Sequence, residues 1–111
     1  MMPGYHEYQS CIEACLRCAA MCNHCASACT QEEDVNMMAN CIRQCMQCAA
    51  MCYSTAQLMA LGSEKARDLC RICAEVCEAC SKECGQHEDS HCRECAAACR
   101  QCAEECRKMA A

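Results

Sequence analysis

The chain has 111 residues, 20 of them cysteine, and a formal net charge of −5. With no Phe, no Trp and only 3 Tyr, it has no conventional aromatic core, and much of its 54% apolar fraction is Cys, Ala and Met. Acids and bases are interspersed without a basic stripe for nucleic acid, and no apolar run approaches the roughly 18 residues of a membrane-spanning helix.

A chain of this length reads as one domain, residues 1–111. Residues 1–4 are read as a loose start, with Pro3 and Gly4 as breakers. The stretch up to Tyr8 has neither the basic nor the apolar region of a secretory signal. The expectation is a cytoplasmic protein whose thiols stay reduced.

The spacing predicts a first helix over about 5–31. Cys11, Cys15, Cys18, Cys22, Cys25 and Cys29 fall at steps of 4, 3, 4, 3, 4, which is one helix face. A coiled coil would hold Leu, Ile or Val at these seam positions. With Cys15, Cys22 and Cys29 at a and Cys11, Cys18 and Cys25 at d, the flanks are Ile12, Ala14, Ala19, Met21, Ala26 and Ala28. Such small flanks allow close helix approach, while Glu13, Arg17 and Ser27 face water.

The polar run from Glu32 to Asn36 leads into a second predicted helix over about 35–61. It carries Cys41, Cys45, Cys48 and Cys52 in its first half, and its register continues through Thr55 and Met59. Gly62 suits a helix C′ position, and Ser63 with Glu64 suits an N-cap and an acidic first turn. A third helix over about 64–84 carries Cys70, Cys73, Cys77, Cys80 and Cys84, and Gly85 ends it. A fourth over about 90–109 carries Cys92, Cys95, Cys99, Cys102 and Cys106. Short connections force antiparallel neighbours, so the expected fold is all-α, an antiparallel up-down-up-down four-helix bundle with a cysteine-lined core.

The chemistry follows from the thiols. Residues i and i+4 of one helix have Cβ atoms about 5–6 Å apart, too far for a disulfide, so bridges would need cross-helix pairs. Inert packing would favour Leu. There are seven C-x-x-C and nine C-x-x-x-C pairs, all in register, which marks a repeated thiolate metal site. Soft thiolates select Cu(I), Zn(II) or iron–sulfur clusters. A linear S–metal–S unit spans about 4.6 Å, so C-x-x-x-C can clasp a two-coordinate ion within one helix. Charge favours the monovalent ion. Twenty thiolates add twenty negative charges to a chain already at −5, and an equal number of Cu(I) ions cancels them. Five Zn(Cys)₄ sites would leave about ten charges uncompensated in the core.

In these features the chain resembles the cytosolic copper storage proteins, a family of small cysteine-rich four-helix bundles. The likeness spans nearly the whole length. It is carried above all by Cys11–Cys29, with Cys22-Asn-His-Cys25, and by the run from Leu69-Cys-Arg-Ile-Cys73 to Cys106-Arg-Lys-Met109. The resemblance implies a pre-formed bundle storing many Cu(I) ions along its core, commonly as a homotetramer, and implies that exported members carry leaders that this sequence lacks. The expected function is Cu(I) storage or buffering, about 20 ions per chain, with copper donor or acceptor proteins as partners. The alternative is a zinc-buffering or thiol-redox protein. No Ser/His/Asp constellation, phosphate-binding loop or paired carboxylates suggest an enzyme.

The predicted topology places Cys29, Cys41, Cys84 and Cys92 at one end. His87, His91, Met37 and Met38 lie beside them and are the candidate entrance ligands, with the methionines read either as thioether ligands or as an apolar cap. The other end has Tyr8, Met59, Ala66 and Met109, read as an apolar plug. His24 reads as a surface or interface residue, and Leu16, Met46 and Tyr53 as a candidate subunit interface.

Overall fold

Alternating steps of three and four between small apolar side chains wind this chain into four long helices. The computed structural model describes residues 4–111. A short helix α1, Gly4–Glu7, precedes α2, Gln9–Cys29. A 3₁₀ turn, Val35–Met38, leads into α3, Ala39–Ala60, and the chain continues through α4, Ala66–Cys84, and α5, Ser90–Ala110. The helix α2 packs on α3 and α5, and α4 packs on the same two. The long helices thus circle one axis in chain order as an antiparallel bundle, 52 × 20 × 18 Å overall.

The core is made of sulfur. All 20 cysteines are buried, and the most exposed, Cys11, shows 1% of its surface. Ala14, Ala19, Ala49, Ala56, Ala74, Ala96 and Ala103 line the seams beside them. Buried Cys packs as a small hydrophobe, so thiols hold the helices together without Leu or Phe. Thr55, fully buried, satisfies its hydroxyl by donating to the Met51 carbonyl at 2.7 Å.

Several ends differ from the sequence expectation. The first helix divides at Tyr8, whose ψ of 14° departs from helical geometry, and it closes at Cys29. There the Thr30 hydroxyl donates to the Ser27 carbonyl at 2.6 Å. The second helix begins as a 3₁₀ turn because Met38, at φ −94° and ψ 0°, sits outside the α region. Helix α4 begins at Ala66. Ser63 acts earlier, its Oγ accepting from the Lys65 N–H at 3.0 Å. Residues 1–3 of the loose start lie outside the described residues. Gly4 is not loose: it is buried, with φ +23°, and a Cβ there would meet the Ala60 carbonyl oxygen at 2.7 Å.

Gly62 matches its reading as the C′ residue of α3, whereas Ser63 and Glu64 precede the start of α4 at Ala66 and are not its N-cap and first turn. Gly62 has φ +71°. Its N–H donates to the Met59 carbonyl and the Ser63 N–H to the Leu58 carbonyl, both at 3.0 Å. That is the left-handed Schellman close, open to Gly without a Cβ penalty. Gly85 follows Cys84 with an ordinary right-handed φ of −66°, so α4 stops there without a left-handed residue.

Candidate metal centre

The helical spacing turns every cysteine inward, and antiparallel packing brings thiols of all four helices to common levels. Cys25, Cys29, Cys41 and Cys92 have sulfurs within 4.8 Å of one another at one end. Further along lie Cys22, Cys45, Cys80 and Cys95, then Cys18, Cys22, Cys48 and Cys99. Next come Cys18, Cys48, Cys52 and Cys77, then Cys15, Cys52, Cys73 and Cys102. Consecutive groups in the middle share Cys22, then Cys18 and Cys48, then Cys52. Cys84 links the first two groups, 3.5 Å from Cys41 and 3.6 Å from Cys45. Cys11, Cys106 and Cys70 finish the column, with Cys11 and Cys106 sulfurs 3.7 Å apart.

All 20 cysteines are free thiols. Within one helix the i, i+4 sulfurs of Cys18–Cys22 and Cys25–Cys29 stand 4.0 and 3.9 Å apart. Across helices, the Cys41–Cys84 pair at 3.5 Å is well beyond a disulfide bond. These are distances at which one S–H donates weakly to the next sulfur and at which neighbouring sulfurs can share a cation.

Ionisation of neighbouring thiols is coupled in such a column, each thiolate opposing the next. Burial pushes the Cys29 thiol up to about 11, with charge on Cys41 adding to the effect. Burial also raises Cys92. Deeper, hydrogen bonds from Cys102, Cys22 and Cys48 hold Cys18 well below the ordinary thiol range. Cys22 is raised, chiefly by its bond to Cys18. One thiolate solvated by S–H neighbours forms readily, whereas a second beside it needs a cation.

The two candidate histidines part company. His91 Nδ1 lies 3.5 Å from Cys92 Sγ, 3.6 Å from Cys25 Sγ and 3.9 Å from Cys29 Sγ. Its Nε2 lies 2.8 Å from Glu32 Oε2. A carboxylate only accepts, so Nε2 carries the proton and Nδ1 turns its lone pair toward the thiols. His87 Nε2 instead pairs with Glu83 Oε2 at 3.2 Å, one turn back on α4. Met38 is buried at the head of α3, while Met37 is 74% exposed.

Sequence reasoning missed Glu32, a residue of a polar connection with no spacing signal to mark it. At the far end it placed Met59 in the plug without a chemical role. Met59 is fully buried, and Cys70 Sγ donates to its Sδ at 3.6 Å. Leu16, Met46 and Tyr53 are exposed on the outer faces of α2 and α3, and His24 is exposed as well. Among the described residues no helix is long and apolar enough to cross a membrane.

Comparison with known proteins agrees with this geometry. A family model described as Copper storage protein matches residues 5–111. The uncharacterized cysteine-rich protein YhjQ of Bacillus subtilis (strain 168) is 44% identical over 110 residues, which is 99% of this chain and 100% of the relative. A solved Cu(I)-bound copper storage protein, BsCsp3, is 44% identical with a TM-score of 0.90, covering 93% of this chain and 97% of that one. A cytosolic copper storage protein from Streptomyces lividans, solved with five coppers, is 40% identical with a TM-score of 0.90, covering 93% of this chain and 91% of that one.

Proposed function

The chain belongs to the copper storage protein family, and we propose that its 20 cysteines hold about 20 Cu(I) ions per chain, in a column loaded from the His91 end. Storage of Cu(I) on core thiolates is its function. The observation that supports the high count is the sharing of thiols between consecutive four-sulfur groups.

Each thiol that takes copper exchanges an S–H proton for a bond to Cu(I), so net charge is conserved as the column fills. A thiolate keeps spare lone pairs after binding one ion and can bridge to a second. Bridging brings metal and sulfur close to one to one. It also gives an ion a continuous path inward, since each step moves it to a sulfur 3.5–4.0 Å away.

A four-sulfur group taken singly would also fit tetrahedral zinc. Filling groups that share Cys18, Cys48 and Cys52 that way would put two divalent ions on one bridging thiolate at each shared sulfur, and divalent ions in separate groups would leave buried thiolates uncompensated. Monovalent copper avoids both problems.

At the mouth, His91 is the donor that adjoins the thiols. Its neutral Nδ1 receives Cu(I) and passes it to Cys92, Cys25 and Cys29. Met38 lies beside this layer as a soft apolar cap, with Met37 outside it as a capture ligand. His87, held by Glu83, stands outside this donor set.

The protein works in the cytoplasm as a homotetramer, exchanging copper with donor and acceptor proteins and catalysing no reaction. The exposed Leu16, Met46 and Tyr53 form part of the subunit contact.

Anaerobic titration of the reduced protein with Cu(I) against a chromophoric chelator tests the central reading. The expected plateau is about 20 ions per chain. A plateau near five would mean tetrahedral Cys₄ sites and would overturn it.

A further inference from the structure

The cysteines divide unevenly into one-turn pairs. Nine i, i+4 pairs account for 18 of the 20. The two left over are Cys92 and Cys70: Ala96 and Ala66 or Ala74 stand where their partners would be, and Glu88 precedes Cys92 by one turn. These odd thiols lie at opposite ends of the column. Each is met by a copper-binding donor that is not cysteine. Cys92 has His91 Nδ1 at 3.5 Å, and Cys70 has Met59 Sδ at 3.6 Å.

We propose that Met59 Sδ and Cys70 Sγ together hold a Cu(I) ion at the closed end of the column, with Cys11 and Cys106 as the adjoining thiols. The proposal rests on the Cu(I) storage reading. Met59 is a neutral thioether, soft enough for Cu(I) and unable to bind by losing a proton. Cys70 gives up its S–H proton as the ion arrives, so one monovalent cation meets one thiolate and the site stays neutral. The thioether therefore lets the last odd thiol bind copper without another buried charge. Met59 shows no exposed surface and its sulfur faces a thiol. Both features make the donor pre-placed, with no water to displace it. Seam register puts Met59 seven residues beyond Cys52 on α3, where a further cysteine would fall.

The test uses full-length reduced protein with selenium in place of methionine sulfur, loaded to its plateau with Cu(I). The expected result is a copper neighbour in the selenium absorption spectrum that weakens in Met59→Leu and persists in the double variant Met37→Leu, Met38→Leu. Leucine keeps the volume of the site, so the apo bundle is expected to fold, as circular dichroism would show. Met59→Leu is also expected to retain about one Cu(I) fewer per chain against the chelator. A wild-type protein that fills to near 20 ions without a selenium–copper contact overturns the proposal whether or not the variant folds. So does a contact that disappears when Met37 and Met38 alone are changed. Failure of the storage reading is distinguishable, because it shows as a wild-type plateau near five.

Discussion

His91 Nε2 donates to Glu32 Oε2 across 2.8 Å, fastening the first turn of α5 to the connection that follows α2. The bond decides which imidazole nitrogen faces the thiols. In Glu32→Gln the amide can donate to Nε2, which favours the proton on Nδ1 and blocks its lone pair. Stopped-flow transfer of Cu(I) is expected to slow about tenfold in that variant, in the range of other residues that orient a metal ligand. The plateau stays the same, and equal rates in both proteins would refute an orienting role.

The histidines should separate in single variants. His91→Ala removes the donor that faces Cys92, Cys25 and Cys29, so loading and chelator-driven removal slow while capacity falls by at most about one ion. His87→Ala breaks only the contact with Glu83 and should behave nearly as wild type. The same kinetic traces check both, and a larger effect from His87 would move the entrance toward the end of α4.

Loss of capacity should depend on how many groups a thiol serves. Cys52 belongs to at least two four-sulfur groups and has sulfurs of Cys77 at 3.6 Å and Cys73 at 3.8 Å. Replacing it with Ser, a hard oxygen donor, is expected to remove about two Cu(I) ions. Cys11, at the end of the column, should cost about one when changed in the same way. Metal analysis of loaded, desalted protein gives both numbers, and identical losses would argue against bridging.

The metal-free bundle should be helical when reduced, and it should weaken in alkali. The folded chain holds the Cys29 proton up to about 11, against an ordinary value of 9.0. Between those values the unfolded chain binds fewer protons, so rising pH favours unfolding. This contribution is complete below about pH 9 and is lost as pH climbs to about 11. Denaturant midpoints of apo protein across that window measure it, and a midpoint that stays level would contradict the shift.

Much of this molecule is legible in its sequence because one residue type marks the seam. Cysteine at alternating steps of three and four reveals the helices and their inward faces together, and Gly62 announces the close of α3. The parts that were not legible depend on contacts between distant segments. Gly4 reads as a breaker, yet its missing Cβ is needed because the Ala60 carbonyl lies against it. Glu32 acquires meaning only when α5 brings His91 to it, 59 residues later in the chain. His87 and His91 look equivalent at a spacing of four, but the start of α5 at Ser90 turns His91 toward the sulfurs and leaves His87 with Glu83.

The bundle is 52 Å long and only 20 × 18 Å across, and its thiols run in file along the long axis. Such a store grows in one dimension. Adding a heptad to each helix lengthens the column by about 10 Å and, at two cysteines per heptad, adds about eight donors without widening the bundle. Cargo per unit length is fixed by the helical repeat, so evolution or design can scale the payload by chain length while the chemistry of each layer stays unchanged.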